Sequence, residues 1–150
     1  MNSDSLIRIR DLFGSQTLAV LATFHDSQPY CNLVAFAGTH DCKFITFATN
    51  RDTSKYKNLK NNHQVSLLID DRTNLNDDFG KNVAITALGL AEEVSPEEKP
   101  YFAGLLISKH PAIASFIKGS DNTLFKVRIR NYIVAGFDSV EILQVEDRLP

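Results

Sequence analysis

The sequence predicts a mainly β fold, a small antiparallel β-barrel with helices packed outside it. Three observations carry that prediction. About seven short apolar or alternating runs are separated by turn-forming residues. Helix-like stretches interrupt them irregularly, without the strand–helix alternation of a parallel sheet. The 150 residues suit one domain, 1–150, around a single core, and no internal repeat, low-complexity stretch or linker divides them.

The elements follow in order. MNSDSLIRIRDLF reads as an amphipathic helix, with Leu6, Ile9, Leu12 and Phe13 at helical spacing and Ser3 or Asp4 as its cap. TLAVLATF (17–24) is a short apolar strand ending in the turn-like HDSQ. PYCNLVAFAG (29–38) and CKFITFAT (42–49) flank GTHD and read as a hairpin. Tight-turn geometry gives opposed residues whose numbers sum to about 79 or 80. Asn32 would then face Phe47 or Ala48, Val34 would face Ile45 or Thr46, and Cys31 would face Ala48 or Thr49.

Residues 53–61 form a short polar helix, and QVSLLID (64–70) is the next strand. DDRTNLNDDFGKN (70–82) is polar and reads as a mobile loop. NVAITALGLAEEV (82–94) is a long strand in which Gly89 marks a bulge or barrel corner. SPEE (95–98) is a helix-start signature, with Ser95 capping, Pro96 first and Glu98 reciprocating. Pro100 requires that helix to bend early or to begin a turn later. PYFAGLLISKHP and AIASFIKG are two helical pieces separated at Pro111. LFKVRIR (124–130) alternates Phe125, Val127 and Ile129 against Lys126, Arg128 and Arg130, and NYIVAGFDSVEILQV adds further strand.

Composition excludes several classes. Net charge is −2, so no global basic field recruits nucleic acid or an anionic membrane. No stretch is long and apolar enough to span a bilayer, and the amino terminus lacks the apolar core of a signal peptide. Cys31 and Cys42 lie too far apart on the predicted hairpin to bridge and are read as reduced, in a cytoplasmic protein. His25, His40, His63 and His110 form no HxxxH or HxH pattern, so no metal site is expected.

The chemistry-bearing stretch is FATNRDTSKYKNL (47–59), where a strand end runs into hydroxyls and cations. A helix beginning near Thr53 presents unpaired N–H groups and a positive dipole end. Lys55 and the hydroxyls of Thr49 and Ser54 would surround that point, an arrangement that suits a phosphate monoester. The alternative is a capped helix whose lysines merely face water.

SQPYCNLVAFAGTHDCKFITFATNRDTSKYKNLKNNHQVSLLID resembles the first half of the pyridoxamine 5'-phosphate oxidase-like family, the FMN-binding split barrels. The shared order is a G/S-x-P strand, a hairpin, F-x-T-N-x-x-x-S/R-K, an amphipathic helix and a VSLL-type strand. ITALGLAEEVSPEE and ISKHPAIASFI resemble the family's next strand and its helical insert, so the similarity spans roughly residues 15–137. The resemblance implies FMN held between the subunits of a homodimer of Greek-key-like split barrels. It places Ser54 and Lys55 at the phosphate-binding pair, often Arg-Lys, and Ala48 and Thr49 at the FMN-contacting strand end. Asn32, Leu33, Val34 and Ala35 fall on the strand that runs along the flavin and ribityl chain. Asn32 and Ser54 each stand where the vitamin-B6 enzymes carry an arginine, which weakens phosphate affinity unless Arg51 compensates. Tyr56 and Leu59 are assigned to packing by their helical spacing.

The R-x-H element that binds substrate in pyridoxamine phosphate oxidases is missing. RNYIVAGFDSVEIL stands in its place, and only VEDRLP loosely resembles that enzyme's terminus. The expectation is therefore a flavin-dependent oxidoreductase acting on a small molecule, not vitamin-B6 oxidation, with no catalytic residue named because the flavin itself carries the redox chemistry. Alternatives are a non-catalytic flavin or electron carrier, a deazaflavin-using relative, and a haem-binding split barrel with a similar G-F ending at Gly136-Phe137. The loop 71–82 would border the flavin's open face.

Overall fold

The computed structural model describes residues 3–145, and of these the side chains of all but Asp78 and Phe79. Of VEDRLP, only Val145 lies within that range.

Helix α1 (Ser3–Ser15) is followed by strands β1 (Leu18–His25), β2 (Gln28–Gly38) and β3 (Phe44–Asn50), then by helix α2 (Ser54–Asn61) and strand β4 (Gln64–Asp70). A single helical turn, α3 (Asp78–Lys81), interrupts the segment expected to be a loop. Strand β5 (Ala84–Glu93), helix α4 (Lys99–Lys109), a 3-10 turn at Pro111–Ile113 and helix α5 (Ala114–Lys118) come next. Strands β6 (Asn122–Ala135) and β7 (Val140–Gln144) complete the described chain. All strand pairs are antiparallel. The order β3-β2-β1-β4-β5-β6-β7 closes into a six-stranded barrel through a further β3–β6 pairing, leaving β7 as a flap on β6.

Closure follows from burial. Phe36, Ile45, Phe47, Leu67, Ile69, Ile85, Phe125 and Val127 alternate inward and fill the barrel, with Phe47 and Phe125 stacked at 5.9 Å. Phe125, Val127 and Ile129 are buried on the face the alternation of LFKVRIR predicts, and Arg128 and Arg130 are exposed. Helix α1 plugs one end with Ile9, Leu12 and Phe13, and Phe13 meets the Phe36 ring edge-on. A Cβ on Gly38 would run into the Phe13 ring, so glycine is needed there. Outside the barrel, Phe102, Leu106 and Ile117 of α4 and α5 cover Ala37 and Leu124.

Gly89 marks a β-bulge, as expected. The β5–β6 register jumps from Leu88↔Asn131 to Gly89↔Ile129, and a side chain at position 89 would strike the Arg128 carbonyl. Ser95 and Glu98 form their reciprocal pair, Ser95 Oγ to Glu98 Oε1 at 3.0 Å, but as a turn ahead of the helix. Helix α4 starts at Lys99 with Pro100 in its first turn, the later start that Pro100 requires.

The hairpin register differs from the expectation. The long hairpin is β1–β2, eight pairs from Leu18↔Ala35 to His25↔Gln28, turning at Asp26 and Ser27, which have φ of 45° and 68°. Strands β2 and β3 share only Phe36↔Phe47, Ala37↔Thr46 and Gly38↔Ile45. Asn32 therefore pairs with Leu21, Val34 with Ala19 and Cys31 with Ala22, not with residues of β3. The cause is the connecting loop. It runs through Lys43 with Cys42 at φ 60°, longer than the tight turn assumed, and is held by Thr39 Oγ1 donating to Asp41 Oδ1 at 2.6 Å. Both cysteines are free thiols, Cys31 exposed and Cys42 buried.

Candidate functional site at the β3–α2 turn

Past Phe36 and Phe47 the two strands part. From Asn32 to Ala35, β2 pairs with β1, while Ala48–Asn50 pair only with β6. The facing edges of β2 and β3 thus border a gap, and the chain leaves the end of β3 directly into α2. Helix α2 packs on β1 and β3, with Leu59 fully buried and Asn58 Nδ2 donating to Thr23 Oγ1 at 3.1 Å. Tyr56 lies edge-on to Phe125 at 6.0 Å. Leu59 and Tyr56 are packing residues, as their spacing predicts.

Thr53 is the N-cap of α2. Its Oγ1 donates to the Asn50 carbonyl at 2.8 Å and accepts from Tyr56 N at 3.2 Å, and its own carbonyl takes Lys57 N. Ser54 N and Lys55 N, the first two helical N–H groups, have no acceptor among the described residues. The Thr49 hydroxyl is buried 3.2 Å from Thr53 Oγ1, so it buttresses the cap.

Three cations crowd the turn and differ in their commitments. Arg51 donates from NH1 to the Ser120 and Asn122 carbonyls at 2.7 and 3.1 Å, and NH2 lies 3.9 Å from Glu93. Its guanidinium ties the turn to the start of β6. Lys57 is exposed. Lys55 is half-buried, burial pulls its pKa below the ordinary 10.5, and no carboxylate among the described residues pairs with it. Glu93 explains this division. Burial opposes its ionisation, but hydrogen bonds from Thr123 and from Lys60 at 3.0 Å, together with Arg51, hold its carboxyl below the usual range. Glu93 thus answers Arg51 and Lys60, while Lys55 stays uncompensated.

Of the remaining expected residues, Ser54 is exposed at the helix start, Ala48 is half-buried, Val34 is in the core and Ala35 is half-buried. Leu33 points outward, 65% exposed. Asn32 Oδ1 is buried with no hydrogen-bond donor among the described residues, an acceptor left open on the strand that borders the gap. The structural parts of Thr53 and Glu93 were not read from the sequence. Thr53 carried a signal, a Thr one residue before a helix, whereas Glu93 lies in a distant strand and carried none. No group of three or more His, Cys, Asp or Glu that could hold a metal is present among the described residues.

The architecture, a closed six-stranded antiparallel barrel with helices packed outside and a lysine without a carboxylate partner at the β3–α2 turn, is that of the small split barrels. A family model described as pyridoxamine 5'-phosphate oxidase matches residues 7–134, and the chain belongs to that family. The fold is shared widely. A haem-binding protein from Mycobacterium smegmatis superposes with a TM-score of 0.84 at 16% identity, over 96% of this chain and 59% of its own. A protein from Clostridium acetobutylicum related to general stress protein 26 of B. subtilis, of the pyridoxinephosphate oxidase family, gives 0.75 at 15% identity, over 97% of both chains. An FAD-binding protein from Mesorhizobium loti gives 0.68 at 14% identity, over 89% of this chain and 94% of its own. The chain thus spans about six-tenths of the length of the mycobacterial protein. No curated protein is similar enough in sequence to count as a relative.

Proposed function

We propose that this chain binds FMN and acts as a flavin-dependent oxidoreductase on a small molecule. The observation that carries the reading is Lys55, a half-buried cation without a carboxylate partner, beside two open N–H groups at the start of α2. A dianionic phosphate matches that donor set better than any neutral group. Lys55, Ser54 and the two N–H groups would hold the phosphate. Asn32 through Ala35 would border the flavin, and the open Asn32 acceptor would meet a ligand N–H or O–H. When bound, the flavin supplies the electron transfer, and the protein contributes binding, orientation and exclusion of water.

The outer face of β1–β2, where Leu18, Phe24 and Leu33 are exposed, supports a homodimer in which a second subunit completes the cofactor's wall. No helix among the described residues is long and apolar enough to cross a membrane, and the place of action we propose is the cytoplasm. The absorbance spectrum of the purified protein tests the cofactor directly. Flavin absorption bands like those of free FMN support the reading, and a Soret band without flavin replaces it with haem binding. Oxidation of NADH or NADPH by the FMN-loaded protein then separates a reductase from a carrier. Pyridoxamine phosphate turnover at roughly 1 per second or faster would contradict the proposal that the substrate is not a vitamin-B6 compound.

A further inference from the structure

A second cationic site lies at the barrel end plugged by α1. A groove of about 450 Å³ runs between α1, the end of β2 and α4, and no residue of α2 lines it. Phe13, Ala37 and Leu105 give it an apolar floor. Arg10, His40 and Lys109 are the ionisable side chains that line it, and no carboxylate does. In a chain of net charge −2 that is a local reversal of sign.

The two cations are held differently. Arg10 Nε donates to the His40 carbonyl at 2.7 Å, which orients the guanidinium, and no carboxylate among the described residues pairs with it. Lys109 Nζ is withdrawn from solvent, has no hydrogen-bond acceptor among the described residues, and sits 3.7 Å from the centre of the Phe36 ring. The ring face satisfies the ammonium only in part, because three donors remain unused. A buried ammonium without an acceptor is costly, and an anion entering the groove would relieve that cost.

We propose that this groove is a binding site for a small organic carboxylate with a flat or branched apolar body. The carboxylate would meet Lys109 and the planar Arg10 fork, which favours bidentate oxygens. The body would lie on Phe13, Ala37 and Leu105. The volume lies within the range of small-molecule sites. The depressed Lys109 pKa, about 8 through burial, agrees with an ammonium short of counter-charge.

Two-dimensional amide NMR of the full chain, titrated with the flat benzoate and the branched 3-methylbutanoate, tests the site. Benzamide, with the same ring and no charge, is the control. Saturable shifts at Gly14, Gly38 and Thr39 with a carboxylate, and none with benzamide, are expected. Lys109→Met keeps the volume and removes the charge, so it should fold and should weaken binding roughly ten- to a hundredfold. Arg10→Met serves as the second variant and should weaken binding as well. No saturable shift up to about 10 mM of either acid, or equal affinity in wild type and Lys109→Met, would overturn the assignment. Because α2 takes no part, the result is independent of whether FMN binds.

Discussion

Lys55 and Lys109 are both half-buried, and burial lowers the pKa of each. At Lys55 the expected consequence is selective. Lys55→Ala should weaken FMN roughly 10- to 150-fold, since a hydrogen bond to a charged group contributes about 1.5–3 kcal/mol. Ser54→Ala should cost less, and riboflavin, which lacks the phosphate, should be nearly indifferent to both changes. The exposed Lys57 supplies the control, because it points away from the helix start. Flavin-fluorescence titration reads all three variants, and equal FMN affinity in wild type and Lys55→Ala would remove the phosphate assignment. Lys109 gives a pH signature instead. Its folded pKa of about 8 lies below the ordinary 10.5, so the unfolded chain holds the proton more tightly. Unfolding therefore takes up a proton between about pH 8 and 10.5, and the contribution to stability rises with pH across that window. Below pH 8 the desolvation penalty is fully present. Lys109→Met should melt higher than wild type near pH 7, and that advantage should shrink by pH 10. A difference in melting temperature that is constant with pH would contradict the burial of this ammonium.

Among the elements, periodicity made most strands and α2 legible, because period-two and period-3.6 patterns are local properties of the chain. Gly89 was legible as a bulge for the same reason, a glycine inside an otherwise apolar strand. The hairpin register was not. It depends on Cys42 adopting φ 60° and on a loop that runs on through Lys43, held by Thr39 and Asp41, and cysteine is not a standard marker of a left-handed position. The Asp26–Ser27 turn likewise carries two positive φ angles without glycine, so the longest hairpin gave a weak signal. For the site this matters directly. With the shifted register, β2 leaves β3 after three pairs, and the gap beside α2 exists because of that early separation. The bulge offers a test at this scale. Gly89→Ala should lower stability by about 1–3 kcal/mol, because the new methyl meets the Arg128 carbonyl rather than a flexible side chain. Gly14→Ala, in α1 with open space at the Cβ position, should be neutral or slightly stabilising. Chemical denaturation of the two variants separates the cases, and equal midpoints would show that the strand relaxes around position 89.

For the whole molecule, the informative surface is the outer face of β1 and β2. The register pairs Leu18 with Ala35, Val20 with Leu33, Ala22 with Cys31 and Phe24 with Pro29 on that face, and every one of these residues is apolar. β4 extends it through Leu68, which lies beside Val20. A sheet face of this kind normally alternates toward polar residues where it meets water, and a contiguous exposed apolar patch suits the homodimer interface proposed above. The same strand carries Asn32 to Ala35, so a subunit docked there would also close the wall beside the proposed flavin. A two-fold pairing of the patch with its own copy uses each contact twice, so one central charge counts double. Leu33, 65% exposed and central in the patch, is the position to change. Light scattering should find wild type dimeric and Leu33→Asp monomeric, with the barrel's melting transition retained because Leu33 contributes little to the core. FMN affinity should fall in the same variant, although the α2 turn is untouched, since one wall of the site leaves with the partner. A wild-type monomer at saturating FMN would exclude the dimer, while a monomeric Leu33→Asp that binds FMN as tightly as wild type would place the whole flavin site within one subunit.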